Sequence, residues 1–252
     1  MLELGLDGKV GIVTGGAGGL GAPIAKTLVD QGVTVALVGR RADALERVAK
    51  DIGRQGSAQA VALQGDVTNE ARVNALVQEV ERRFGRVDLL INCAGINIRK
   101  PVSELLLEDW KAVMDTNLIG PFLLSKAALP GMIARKFGRI VNIASIFSFV
   151  TWERRAAYSA SKAGLLQLTR TLALEVAPKQ VTVNAVCPGV FKTPMNESLA
   201  QDPSAQEFLR AIPMGRMGDP AELAGLVAYL CSPQAAYITG AAFVVDGGWT
   251  AK

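Results

Sequence analysis

Histidine is absent from all 252 residues of the chain. The side chain that titrates nearest neutral pH, and the commonest metal ligand, is therefore missing. Hydrolytic triads built on histidine are excluded, and no metal site is expected. Cysteine is nearly as scarce. Cys93, Cys187 and Cys231 form no CxxC pair and cannot all pair with one another, a usage that fits a reducing cytoplasm. The 27 basic residues never run five in succession, so neither a nucleic-acid surface nor a nucleic-acid partner is indicated. No uninterrupted apolar run approaches the roughly 18 residues of a membrane span. The opening Met1-Leu2-Glu3-Leu4-Gly5 lacks the charged head and apolar core of a signal peptide. No membrane partner is therefore expected. What is present is apolar: half of the residues are hydrophobic and 20% are charged, which argues against disorder. The scattered net charge of +4 suits solubility and a small anionic ligand.

Short β-rich runs alternate with longer helical patterns from end to end. Lys9–Thr14, Thr34–Val38, Ala60–Leu63, Leu89–Asn92, Arg139–Ile143, Val181–Val186 and Ala242–Val245 read as strands. Helical patterns fill Pro23–Gln31, Asp43–Gln55, Asn69–Phe84, Glu108–Arg135, the segment after Tyr158, and Pro220–Leu230. Pro121 and Pro130 predict a kink or break in the longest of them. The alternation predicts an α/β fold: one Rossmann-type, doubly wound parallel sheet of about seven strands with helices on both faces. No composition shift marks a second domain within 1–252, and the loop-rich stretch around 190–215 is expected to form a lid over the substrate.

The chemistry concentrates around Tyr158-Ser159-Ala160-Ser161-Lys162. Residues four apart share a helix face, so Tyr158 and Lys162 point into one space. A cation beside a phenol favours the phenolate and lowers its pKa toward the working range of an acid-base group. The first strand runs into Thr14-Gly15-Gly16-Ala17-Gly18-Gly19-Leu20-Gly21 and then a helix. Glycines there let the backbone approach a diphosphate, and the helix start offers free amides, so Gly15, Gly18, Gly19, Leu20 and Gly21 point to a dinucleotide. After the second strand stand Gly39-Arg40-Arg41, with no carboxylate for a ribose 2′-hydroxyl. Arg40 and Arg41 suit a 2′-phosphate, which favours NADP(H) over NAD(H). Asp66-Val67, after the third strand, could contact adenine, or Asp66 could cap the next helix in competition with Asn69.

These motifs, with Asn92-Cys93-Ala94-Gly95 after strand four, Ser145 thirteen residues before Tyr158, Asn117, Pro188-Gly189 with Thr193, and Asp246-Gly247-Gly248, resemble the classical short-chain dehydrogenase/reductase family over the whole chain. Cys93 departs from the asparagine usual there. The resemblance implies that Tyr158 exchanges a proton with the substrate oxygen, that Ser145 hydrogen-bonds that oxygen, and that Lys162 holds the nicotinamide ribose and lowers the pKa of Tyr158. It implies that Asn117 positions a water relaying protons from Lys162. Asn92, Ala94 and Gly95 would line the adenosine and ribose side, while Pro188, Gly189, Phe191 and Thr193 would lie toward the nicotinamide. It also implies a homotetramer, with the Tyr158 helix and the Asn117 region pairing across one interface and Phe243–Lys252 across another. The partner is a small ketone or alcohol. The intact set of Asn117, Ser145, Tyr158 and Lys162 argues for catalysis over a nucleotide-sensing or scaffold role on the same fold.

Substrate choice is expected from Ile98 with its neighbours, from Phe147, Phe149, Trp152, Arg154 and Arg155, and from Met195–Met214. The rings suggest a bulky apolar ketone or, equally, packing against a subunit interface or the lid. The segments around Ile98–Pro101, Glu108–Trp110 and Phe191–Met195 look like the gluconate and sugar-acid dehydrogenase group. Arg99-Lys100, where 3-oxoacyl-carrier-protein reductases usually carry Arg-Asp, disfavours that alternative.

Overall fold

The computed structural model describes residues 3–196 and 203–251. Its elements follow the alternation read from the sequence. They are β1 (Val10–Thr14), α1 (Gly21–Asp30), β2 (Thr34–Gly39), α2 (Ala42–Ile52), β3 (Arg54–Gln55), β4 (Ala58–Gln64), α3 (Glu70–Phe84), β5 (Leu89–Asn92), α4 (Leu107–Met114), α5 (Gly120–Ala134), β6 (Gly138–Ile143), α6 (Ala156–Val176), β7 (Val181–Pro188), α7 (Pro203–Arg210), α8 (Pro220–Cys231) and β8 (Ala242–Val245). The sheet order is β3-β4-β2-β1-β5-β6-β7-β8. Seven strands are parallel, and only the two-residue β3 runs antiparallel, as the arm of a hairpin with β4. The sequence reading missed β3, because two residues carry no periodicity.

Strand side chains alternate between two cores. Val13, Val35, Leu37, Leu89 and Ile91 pack on one face beneath α1 and α8. Ile12, Ala36, Val38 and Leu90 pack on the other beneath α3, α5 and α6. Each such Val, Leu or Ile contributes about 1.5–3 kcal/mol by leaving water. Winding reverses between β1 and β5, and the crevice beyond the strand ends at that switch is where an open α/β sheet binds ligands.

The break expected in the long helix is a π turn over Asp115–Ile119, joining α4 to α5. The Gly120 amide donates to the Asp115 carbonyl, five residues back. Pro121 has no N–H, so the Asn117 carbonyl lacks its α-helical donor as well. Pro130, the other expected break, lies inside α5 without ending it. The joined helix Leu107–Ala134 is long and apolar enough to cross a membrane, a correction to the reading of uninterrupted runs, which polar residues such as Asn117 and Lys126 obscure. In this fold Leu123, Leu124, Ala128 and Met132 spend that apolarity against the sheet.

Candidate active site

The site assembles where β1, β5, β6 and β7 end, around a cleft of about 370 Å³. At the end of β1 the backbone turns through Gly15, whose φ of +63° lies in the left-handed region open to glycine. A Cβ there would stand 3.0 Å from the Ala94 Cα, and one on Gly21 would collide with the Gly15 carbonyl. No acidic residue occupies the first turn of α1, so an anion at this helix N-terminus meets no carboxylate. Gly15, Gly18, Gly19, Leu20 and Gly21 all line the cleft. The cradle therefore fits a dinucleotide diphosphate.

A residue with no role assigned from the sequence holds this end together. The Thr14 hydroxyl accepts the amides of Cys93 (3.0 Å) and Ala94 (3.1 Å) and donates to the Ile91 carbonyl at 3.4 Å. One side chain thus knots the two strands flanking the winding switch. Its only sequence signal is a small hydroxyl at a strand end.

Ser145 follows β6, and Tyr158 and Lys162 occupy the first two turns of α6. The Ser145 Oγ accepts the Phe147 amide at 3.2 Å, and its hydroxyl faces the Tyr158 phenol and favours the phenolate. Lys162 is buried; its Nζ donates to the Ile143 carbonyl at 2.6 Å and lies 5.7 Å from the Tyr158 ring centre. The acid-base picture differs from the expectation. Burial pushes the Tyr158 phenol above its ordinary value, against the lowering influence of the Ser145 hydroxyl and of Arg155 and Arg99. Burial likewise pulls the Lys162 ammonium down to about 8. Desolvation outweighs any lysine effect on the phenol, because both groups sit in the same dry space.

Asn117 is wholly buried in the π turn. Its Oδ1 accepts the Ile96 amide at 2.9 Å, and its Nδ2 donates to the Ile96 carbonyl (2.9 Å) and to the Ser161 hydroxyl (3.1 Å). The side chain therefore fastens the loop after β5. Replacing Asn117 by alanine should cost about 2–4 kcal/mol, three buried bonds at roughly 1 kcal/mol each with the Ile96 peptide left unpaired. A melting temperature unchanged in Asn117→Ala would contradict that fastening.

Several other candidates are placed differently from expectation. Asn92 turns its side chain into the sheet, donating to Asn142 Oδ1 at 2.8 Å, while Ala94 and Gly95 line the cleft. Val67 is buried under Gly120 of α5 and makes no wall. Asp66 accepts both the amide and the hydroxyl of Thr68, and Asn69 caps α3. Arg41 lines the cleft and Arg40 stands outside it; the Thr68 amide and hydroxyl, with a smaller contribution from the Arg40 charge, hold the Asp66 carboxyl below its ordinary value. The Phe191 ring packs against Gly218 in the core, leaving its backbone beside Pro188, Gly189 and Thr193 in the cleft wall. Ile98 and Phe149 are not in the cleft wall, and Phe149 is half exposed.

Phe147, Trp152 and Arg154 line the substrate end. Phe147 meets Tyr158 edge-on at 6.3 Å, and Phe208 of α7 meets Phe147 at 6.0 Å and Trp152 at 5.3 Å. Trp249 closes the aromatic wall 4.8 Å from Phe208. The sequence reading placed Trp249 only within the Phe243–Lys252 stretch that the resemblance sends to an interface. It arrives through a turn in which Gly247 and Gly248 both have positive φ and Asp246 accepts the Gly248 and Thr250 amides. Of the expected lid, residues 197–202 lie outside the described residues.

Comparison with known proteins adds three kinds of likeness. A family model described as enoyl-(acyl carrier protein) reductase matches residues 15–250. The chain is 38% identical to the 3-oxoacyl-(acyl-carrier-protein) reductase FabG of Aquifex aeolicus, over 98% of this chain and 99% of that one. It is 39% identical to 3beta-hydroxysteroid dehydrogenase 1 of Eggerthella lenta, over 97% and 95%. Two solved structures superpose closely, both provisionally assigned. One is a gluconate dehydrogenase from Agrobacterium tumefaciens (TM-score 0.94, 33% identity, 99% of this chain and 98% of that one). The other is an NAD(P)-dependent gluconate 5-dehydrogenase from Beutenbergia cavernae with NADP bound at low occupancy (TM-score 0.92, 37% identity, 98% of each).

Proposed function

The chain belongs to the short-chain dehydrogenase/reductase family and is an oxidoreductase acting on CH–OH groups; from that premise we propose that it interconverts a ketone and a secondary alcohol with NADP(H), using Tyr158 as acid and base. The observation that carries this reading is that Ser145, Tyr158 and buried Lys162 line one cleft together with the glycine cradle. When bound, the nicotinamide supplies a hydride to the carbonyl carbon in one direction and accepts it in the other.

The chain's own residues do the rest. Tyr158 gives its proton to the carbonyl oxygen, which completes the alcohol, and takes it back in oxidation. Ser145 receives the Phe147 amide on its oxygen, so its own proton is available to the substrate oxygen as negative charge grows there. Lys162 holds the ribose hydroxyls and the proton route. The carbonyl freed by the π turn before Pro121 is a natural acceptor for a relay water, a role that the Asn117 side chain, committed to Ile96 and Ser161, does not fill.

Arg41 in the cleft wall, with no carboxylate at the end of β2, supports NADP(H). Arg41→Asp should lower the NADPH-to-NADH ratio of kcat/KM by about 10- to 100-fold, and a ratio left unchanged would discard the arginine argument. Self-association into a tetramer is supported by Ile119 and Phe122 near the start of α5 and Leu174 on α6, apolar side chains left exposed. A 3-oxoacyl thioester remains a second substrate reading, supported by the 38% identity to an enzyme of that name. The test of the reaction is NADPH consumption with acyclic, cyclic and carboxylated ketones. Binding of NADPH without turnover of any of them would sink the proposal.

A further inference from the structure

The cleft carries more positive charge than the cofactor cradle accounts for. Beyond Arg41 and Lys162, its wall holds Arg99, Arg154 and Arg155, against Glu153 as the one acidic residue of the lining. Arg99 and Arg155 are close enough to the reacting centre to draw down the Tyr158 pKa through space. Arg99 also donates to the Met195 carbonyl at 3.3 Å, which ties the loop after β5 to the loop after β7.

Arg154 is the unusual member. Its φ of +61° is one of only three positive values at non-glycine residues in the described chain. That conformation costs an L-residue roughly 1–2 kcal/mol and is retained where the surroundings require it. Among the described residues the Arg154 guanidinium has no hydrogen bond or ion pair; only its carbonyl is used, by Arg155 at 3.4 Å. The strained turn thus holds an uncommitted cation on the cleft wall, two residues after Trp152 and four before Tyr158.

We propose that the substrate is a ketone bearing an anionic group, carboxylate or phosphate, remote from its carbonyl, and that Arg154 is the residue that grips this group while the Phe147–Trp152–Phe208 wall holds the body between. The proposal rests on Tyr158 being the proton donor to the ketone. A guanidinium offers a planar fork of donors that matches either oxyanion in two parallel bonds. The arginines on either side add a field that favours the anion without contacting it.

The experiment compares two matched pairs whose members differ chiefly in the presence of the anionic charge. The first is 4-acetylbenzoate and its methyl ester. The second is acetoacetyl-pantetheine with and without its 4′-phosphate. With wild-type protein and NADPH, the charged member of one pair should be preferred in kcat/KM by about 10- to 100-fold, the worth of a charge-assisted hydrogen bond. Preference in the first pair identifies a small keto acid; preference in the second identifies a phosphate-bearing carrier arm. In Arg154→Gln the ratio within that pair should collapse toward one, and Arg154→Lys should restore part of it. Equal use of charged and neutral members in both pairs overturns the proposal while leaving ketone reduction intact. So does a preference that survives Arg154→Gln. Turnover of all four compounds undiminished in Tyr158→Phe, or of none by the wild type, overturns the reading on which it rests.

Discussion

Replacing Tyr158 by phenylalanine should lower kcat for ketone reduction by about 10²–10⁴-fold, the usual contribution of a positioned acid-base group. The substitution removes one oxygen and leaves the ring that meets Phe147 edge-on, so the cleft should keep its shape. NADPH affinity should therefore stay within a few-fold of wild type, and the melting temperature should barely move. The pH dependence follows from the direction of the Tyr158 pKa. Burial raises it, so the proton needed for reduction stays on the oxygen through neutral pH. Reduction should hold level there and decline only at strongly alkaline pH, whereas alcohol oxidation, which needs the proton gone, should climb over the same range. Stopped-flow measurement of hydride transfer at several pH values checks both limbs. A Tyr158→Phe enzyme retaining more than a tenth of wild-type kcat would move the acid to another group.

Lys162→Met should be inactive and yet more stable than the parent at neutral pH. Burial depresses the ammonium from 10.5 to about 8, so folding at pH 7 carries the cost of a desolvated charge. One pKa unit corresponds to about 1.4 kcal/mol. Losing the hydrogen bond to the Ile143 carbonyl offsets about 1 kcal/mol of the gain, which leaves a net stabilisation of about 2–3 kcal/mol. Below about 8 the lysine is charged in both the folded and unfolded states, and the penalty is complete. Between about 8 and 10.5 the unfolded chain binds more protons than the folded one, so wild-type stability rises with pH and the advantage of methionine shrinks. Urea unfolding of both proteins across that range, without added cofactor, provides the comparison. A mutant less stable than wild type at pH 7 would show that the Ile143 bond outweighs the buried charge. Function would then be housed at no cost to stability, contrary to the trade-off argued here.

The elements readable in the sequence were those whose own pattern carries the information. Seven strands were placed because each contributes a run of β-branched and apolar residues between helical segments, and α6 because Tyr158 and Lys162 fall one turn apart on it. The cradle was readable because glycine is the residue that leaves the carbonyl of Gly15 room beside Gly21. Less was legible where residue type does not reveal a partner. Asn92 and Asn117 are polar side chains near a ligand site, yet one bonds across the sheet to Asn142 and the other to the Ile96 peptide. A phenylalanine in a binding loop can present ring or backbone; Phe191 presents its backbone because Gly218 opens a slot for the ring. The Trp249 contact depends on two left-handed glycines in the last turn, a geometry that no periodicity announces.

The π turn between α4 and α5 acts as a phase shifter. It spends one residue more than an α-helical path over the same rise, so everything before it is rotated by about 100° relative to everything after. Deleting a single residue between Asp115 and Ile119 would restore α-helical spacing there, with only the carbonyl facing Pro121 still lacking a donor. It would also swing α4 a quarter turn and more around its axis. Either Asn117 would leave Ile96, or Leu107 at the start of α4 would rotate with the helix and change which side of the rod it occupies. The extra residue therefore couples two distant alignments, that of the loop beside the cofactor cradle and that of an exposed apolar face. Chain length here is as constrained as residue identity, although no side chain advertises it.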